Sequence, residues 1–394
     1  MLSGCKFSFE QGLMNECRDP RAASVSSHPL VRAAWDGLHA DRVWDVHVHL
    51  FGNGRAEKGV WIDPDFDQGG GPASRVRRAF FMNAACAGKD ESQVDTNMVA
   101  RLARIADDLP PGAKLMLLAF DFTYDETGRR RDDLTTFAVD NGYAHRVASS
   151  RPDRFEWIAS VHPYRDDAVE ALEKVHASGA RAVKWLPPTM GIDLAHRRCL
   201  PAYDALVRLD LPLLVHLGNE EAVRGAGRGD LANPLLARAP LDRGVRVIAA
   251  HCASLGAGNF EAFESLMAER RYEGRLFGDL SAITQANRDG VVTRILAHRE
   301  WEGRLLNGSD YPLPGILPLF SPKAFAAEGL IDPALVPVLR ELREANPLMF
   351  DFVLKRSLSS RGAKFPASAF ETRGFFVSSS SSRPPAGNEP GPTS

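Results

Sequence analysis

Nothing in this 394-residue chain approaches the run of roughly 20 apolar residues that a helix needs to span a bilayer. Nor is there a surplus of one charge: 48 lysines and arginines face 50 acidic residues, a formal net charge of -2. That balance leaves no electrostatic footprint for nucleic acid or an anionic membrane, so neither is expected as a partner. Cysteine is scarce and odd in number. Cys5, Cys17, Cys86, Cys199 and Cys252 are scattered with no Cys-x-x-Cys pair, which argues against a cysteine-ligated zinc module or a disulfide framework and predicts a reducing, cytoplasmic setting. Leu2-Ser3-Gly4-Cys5 lacks the charged and apolar segments that precede a lipoprotein cleavage box, and no repeat of solenoid type is present.

What is there is the composition of a soluble globular protein, 44% hydrophobic and 25% charged. Residues 1–40 read as an N-terminal leader or extension, 41–376 as one large domain, and 377–394 as a Ser/Pro-rich tail that cannot bury enough surface to order itself. Between the ends, short and nearly continuous apolar runs recur at 43–50, 114–120, 155–161, 180–186, 211–216, 245–251, 276–280 and 304–310. Such runs fit strands buried on both faces, as in a parallel sheet. Amphipathic stretches separate them, at 166–178 (ending at Gly179), 200–209 and 261–271. Val76–Met82 fits a helix in an insertion after the first strand. The pattern predicts an α/β fold, a (β/α)8 TIM barrel with that insertion and a disordered C-terminal tail; a doubly wound sheet is the alternative.

The first apolar run carries Asp45-Val46-His47-Val48-His49. Strict period-two alternation would put Asp45, His47 and His49 on one face, with Val46 and Val48 on the other. Two imidazoles at that spacing can chelate one transition metal, although a strand that happens to carry two histidines reads the same way. Barrel active sites lie at the C-terminal strand ends. There the sequence places Lys184 (fourth), His216 (fifth), His251 (sixth) and Asp310 (eighth), which together are hard to obtain by chance.

The segments Asp45–His49, Val215-His216-Leu217-Gly218, Ala250-His251-Cys252 and Asn307-Gly308-Ser309-Asp310-Tyr311-Pro312 together resemble the amidohydrolase superfamily. They are most similar to its amidohydrolase-related branch, which includes aminocarboxymuconate-semialdehyde decarboxylase-like enzymes. The resemblance spans residues 43–356. It implies that His47, His49, His216 and Asp310 hold one divalent metal, expected to be Zn²⁺, and that His251 and Asp310 are catalytic. The implied activity is hydrolysis, a metal-activated water attacking an amide, lactone or ester carbon while Asp310 handles the proton. Non-oxidative decarboxylation of an unsaturated or aromatic acid is the runner-up, and a catalytically silent metal-binding barrel is a third reading.

Lys184 stays open between two roles. In binuclear relatives a lysine at this strand end is carboxylated and bridges two metals; otherwise it lines the site. Trp185, His162, Arg224, Arg228 and Tyr311 are candidate substrate contacts. Against that, His162 could cap a turn before Pro163, Trp185 and Tyr311 could be core, and the two arginines could belong to a solvated glycine-rich loop. The partner implied is a small-molecule substrate; a homodimer is compatible with the family, with no interface visible.

Overall fold

The computed structural model describes residues 14–20, 27–69, 71–220 and 226–377. The eight apolar runs form parallel strands: β1 (Trp44–His49), β2 (Lys114–Leu118), β3 (Phe155–Ile158), β4 (Val183–Trp185), β5 (Leu213–His216), β6 (Val247–Ala250), β7 (Leu276–Asp279) and β8 (Leu305–Leu306). They pair in chain order as a three-stranded and a five-stranded sheet. Parallel bridges between Ala159 and Val183 and between Val48 and Tyr311 join the two sheets into a closed barrel.

Two apolar layers result. Trp44, Val46, Met116, Leu118, Ile158, Leu214, Ile248 and Phe277 fill the barrel interior, and Phe375, Phe376 and Val377 pack against that cluster. A larger layer joins the outer strand faces to the helices. The helix Ala168–Ala177 ends as anticipated at Gly179, whose φ of +86° suits a residue without Cβ.

The alternation expected for β1 is corrected. Asp45 pairs with Leu115 and Val48 with Leu117, so three steps on β1 oppose two on β2. This is a one-residue bulge. Val46 therefore joins Trp44 inside the barrel while Val48 packs outside. Asp45 leaves the histidine face and accepts hydrogen bonds from the amides of His47 (3.1 Å) and Ser309 (2.8 Å).

The insertion after β1 contains the expected helix, Pro72–Ala84, and a strand that went unread: Val60–Ile62 pairs antiparallel with Phe137–Val139 to form a ribbon over the top of the barrel. Asp95 is fully buried and its carboxylate accepts from the amides of Asn53, Gly54, Ala56 and Glu57, which pins the loop following β1.

Part of the anticipated leader is built into the fold. Trp35 stacks on Phe352 at 4.2 Å, and Asn15 and Asn83 exchange hydrogen bonds of 2.6 and 2.8 Å. Residues 1–13 and 21–26, and the tail from 378 onward, lie outside the described residues. Beside Asn83, Cys17 and Cys86 form a disulfide, while Cys199 and Cys252 are buried and free. The expectation against a disulfide framework is corrected to the extent of this one bridge. A sequence separation of 69 residues leaves no local spacing signal. No helix among the described residues is long and apolar enough to cross a membrane.

Thiol titration of the unreduced, denatured chain should find three thiols rather than five. Replacing Cys17 and Cys86 by serine should lower the urea unfolding free energy by about 2–4 kcal/mol; five thiols, or unchanged stability, would rule out the staple.

Candidate metal centre

The bulge in β1 turns His47 into the barrel mouth, where it is fully buried, and leaves His49 part-exposed above it. Backbone bonds between β1 and the turn after β8 bring Asp310 beside both: the Asp310 amide donates to the His47 carbonyl at 2.8 Å, and the His49 amide to the Tyr311 carbonyl at 2.9 Å. Gly308 is required at this crossing, because a Cβ there would lie 2.7 Å from the His47 Cβ. Asp310 Oδ1 is then 3.0 Å from His49 Nε2 and 3.4 Å from His47 Nε2, and Asp310 Oδ2 is 3.9 Å from His251 Nε2.

His47, His251 and Asp310, all buried, each present a ligand atom within 4.8 Å of the others. His251, anticipated only as a catalytic group, thus stands in the convergent set. His216, anticipated as a ligand, stacks edge-on against His251 at 5.1 Å, but its Nε2 is 3.1 Å from the Asn219 carbonyl and 3.5 Å from Glu220. Lys184 places Nζ 3.4 Å from His47 Nε2.

Burial, with Lys184 nearby, lowers the His47 pKa to about 4; burial also pulls His216 down and His251 well down. All three imidazoles are therefore neutral at pH 7, the form that ligates metals. Burial works to raise the Asp310 carboxyl; positive charge on His251 or His47 would lower it, and the hydrogen bond from His49 also holds it down, the net direction being well below its ordinary value. Burial lowers Lys184 to about 8 against the pull of Asp279, Asp310 and Glu220. Neutral imidazole nitrogens beside an ionised carboxylate form a donor set that suits zinc, manganese or iron.

Beneath this layer lies Asp279 at the end of β7, fully buried. It sits 2.8 Å from His47 Nδ1 and accepts the His251 amide at 2.9 Å. Above the centre is a pocket that opens to solvent. Its walls are Leu50, Phe51, Ile62, Phe66, Phe81, Phe120, Phe137, Leu186 and Leu313, largely from the insertion and the ribbon. Phe51 stacks with Phe81 and Phe137 at 6.1 and 5.8 Å. Sequence reasoning missed these aromatics because none ends a barrel strand: Phe51 lies in the loop after β1, Phe81 on the insertion helix and Phe137 on the ribbon.

Among the described residues, Trp185, Tyr311, Arg228 and His162 are not part of this pocket's lining. Trp185 is fully buried, donates Nε1–H to the Val161 carbonyl and packs on Tyr203, so it is core. Tyr311 is likewise fully buried in the outer layer. Arg228 forms an exposed pair with Asp230, and Arg224 lies outside the described residues. His162 caps its own turn: Nδ1 accepts from the Tyr164 amide, and Nε2 lies 3.0 Å from the Met190 carbonyl.

The amidohydrolase family profile matches residues 44–334, most of the barrel and three quarters of the chain's length. The chain belongs to the amidohydrolase family. Comparison with curated proteins gave no match. Among solved structures, this amidohydrolase is similar to a TIM-barrel protein from Bordetella bronchiseptica, 19% identical over 69% of this chain and 86% of that one, with a TM-score of 0.46. A 4-oxalomesaconate hydratase from Rhodopseudomonas palustris is 16% identical, over 79% and 98%, with a TM-score of 0.43. A 5-carboxyvanillate decarboxylase from Novosphingobium aromaticivorans, complexed with manganese, is 15% identical, over 88% and 96%, with a TM-score of 0.40.

Burial lowers the His162 pKa to about 3, against about 6.5 in an unfolded chain. The unfolded state therefore binds the extra proton first, and stability is lost as pH falls from about 6.5 towards 3. In urea titrations between pH 6 and 4, His162→Gln should flatten the pH slope of the unfolding free energy by up to about 1.4 kcal/mol per pH unit. An unchanged slope would contradict a buried neutral His162.

Proposed function

We propose that this amidohydrolase is a metal-dependent hydrolase of uncharged, ring-bearing esters, lactones or amides. One observation carries the reading: the convergent His47, His251 and Asp310 floor a pocket whose walls are almost entirely apolar and aromatic. His47, His251 and Asp310 would hold a single divalent ion, for which Zn²⁺ is our candidate, with His49 beside Asp310 and His216 at the rim. Such an ion supplies Lewis acidity, polarising a carbonyl and bringing the pKa of a water towards about 7.

The chain's own groups supply the rest. Asp310, ionised and acceptor-only, takes the proton from the attacking water and returns it to the leaving group. Lys184 directs its ammonium at the oxygen that gains charge as the carbonyl carbon becomes tetrahedral. Phe51, Phe81 and Phe137 clamp the ring and exclude water, which strengthens each electrostatic contact below them. Lys184 is the only lysine or arginine among the described residues lining the pocket. A wall this apolar suits an uncharged substrate better than a carboxylate, which supports hydrolysis over the second reading.

The purified protein should contain about one divalent ion per chain, and chelation should abolish activity reversibly. Two ions per chain, with a carboxylated Lys184, would replace this scheme with a binuclear one. On aryl esters and lactones such as phenyl acetate and dihydrocoumarin, Asp310→Asn should lower kcat by about 10²–10⁴ with the circular dichroism spectrum unchanged. Retained turnover would sink the assignment of Asp310. Release of carbon dioxide from aryl carboxylic acids, without ester cleavage, would favour the decarboxylase.

A further inference from the structure

The groups beneath the floor settle a question that the ligand atoms leave open: which nitrogen of each imidazole carries the proton. Asp279 is completely buried, and its carboxylate is surrounded by donors. Oδ1 accepts from the amides of His251 and Ser281, both at 2.9 Å, and from the Ser281 hydroxyl; Oδ2 lies 2.8 Å from His47 Nδ1. An ionised carboxylate offers only lone pairs. His47 must therefore bear its proton on Nδ1. Its Nε2 has the Lys184 ammonium, with only protons to give, and Asp310 Oδ1 both at 3.4 Å, so the shorter 2.8 Å bond to Asp279 decides where the proton sits.

Ser281 extends the constraint to the second imidazole. Its hydroxyl has one proton, and Asp279 takes it. Towards His251 Nδ1, at 2.7 Å, the hydroxyl has only lone pairs left, and the Ser281 carbonyl, 3.2 Å from the same nitrogen, can only accept. His251 must therefore also carry its proton on Nδ1.

We infer that Asp279, directly for His47 and through Ser281 for His251, is a positioning residue that locks both imidazoles as Nδ1–H tautomers with their Nε2 lone pairs facing the site. A carboxylate behind a ligating histidine is a known way to fix tautomer and ring orientation. The distinguishing feature here is that one carboxylate serves two imidazoles through a single serine. The consequence for metal affinity rests on the proposed metal centre; the tautomers themselves do not.

Two measurements test it. Long-range imidazole ¹⁵N–¹H spectra of the metal-free protein should show His47 and His251 as Nδ1–H. In Asp279→Asn, whose amide can donate to Nδ1, the His47 proton should move to Nε2. Competition against a chelating dye should give Zn²⁺ affinity about 10- to 100-fold weaker in Asp279→Asn and about tenfold weaker in Ser281→Ala. The double variant should be no weaker than Asp279→Asn alone, because both act through one carboxylate. An Nε2–H tautomer for either histidine in the native protein overturns the inference, as does Zn²⁺ binding within twofold of native in Ser281→Ala. If Asp279→Asn fails to fold, the native spectrum and Ser281→Ala still decide. Neither readout uses turnover, so a wrong substrate class leaves the test intact. Failure of the native protein to bind Zn²⁺ would instead sink the metal-centre reading, with the tautomers still decided by the spectra.

Discussion

Closure of the barrel between its first and last strands is the contact on which the rest depends. Three backbone hydrogen bonds make it: Val46 N–H to Asn307 at 3.0 Å, Asp310 N–H to His47 at 2.8 Å, and His49 N–H to Tyr311 at 2.9 Å. These residues come from opposite ends of the barrel sequence, and the same bonds that close the sheet set the two β1 histidines against Asp310. Chemistry and closure thus share their atoms, so an opening of this seam separates His47 from Asp310 as it breaks the fold.

Holding the seam requires buried charge, which is costly unless each group is paired or hydrogen-bonded. Behind the Asn307–Asp310 turn, Lys355 on the helix Pro347–Ser357 donates to Asp351 and to the Gly308 carbonyl, both at 2.6 Å. Asp45 takes two amides of the seam. The backbone is also forced at both functional turns: Asp310 has φ +61°, and His251, Cys252 and Ala253 have φ of 56°, 49° and 50°. Left-handed conformations in residues other than glycine persist only where surrounding structure overdetermines them. At His251 the Asp279 carboxylate receives the amide, and at Asp310 the His47 carbonyl does the same.

Strand existence and order were legible because strands buried on both faces are written as plain apolar runs, and several of those runs end in histidine, lysine or aspartate. His47, His49, Lys184, His216, His251 and Asp310 all line the pocket mouth where strand-end logic places them. Illegible were features that depend on register or on distant partners. One extra residue in β1 reverses Asp45 and Val46, and nothing in the local pattern marks it. The Cys17–Cys86 pair and the ribbon from Val60–Ile62 and Phe137–Val139 join segments with no spacing signature. Trp185 and Tyr311 beside site residues suggested a wall, but their neighbours on the strand point inward, so they point outward into the core.

The division between floor and wall has its own consequence. The polar groups of the floor are fixed by the barrel strands or the turns that end them, whereas the phenylalanines of the wall hang mainly on the insertion and the ribbon, secured by local anchors such as Asp95. The two can vary independently. Changes of size or shape among Phe51, Phe66, Phe81 and Phe137 alter which molecules enter without touching the groups that react with them. A floor of this kind could therefore acquire new clients through its wall residues alone, with the barrel serving as a fixed engine under an exchangeable hood.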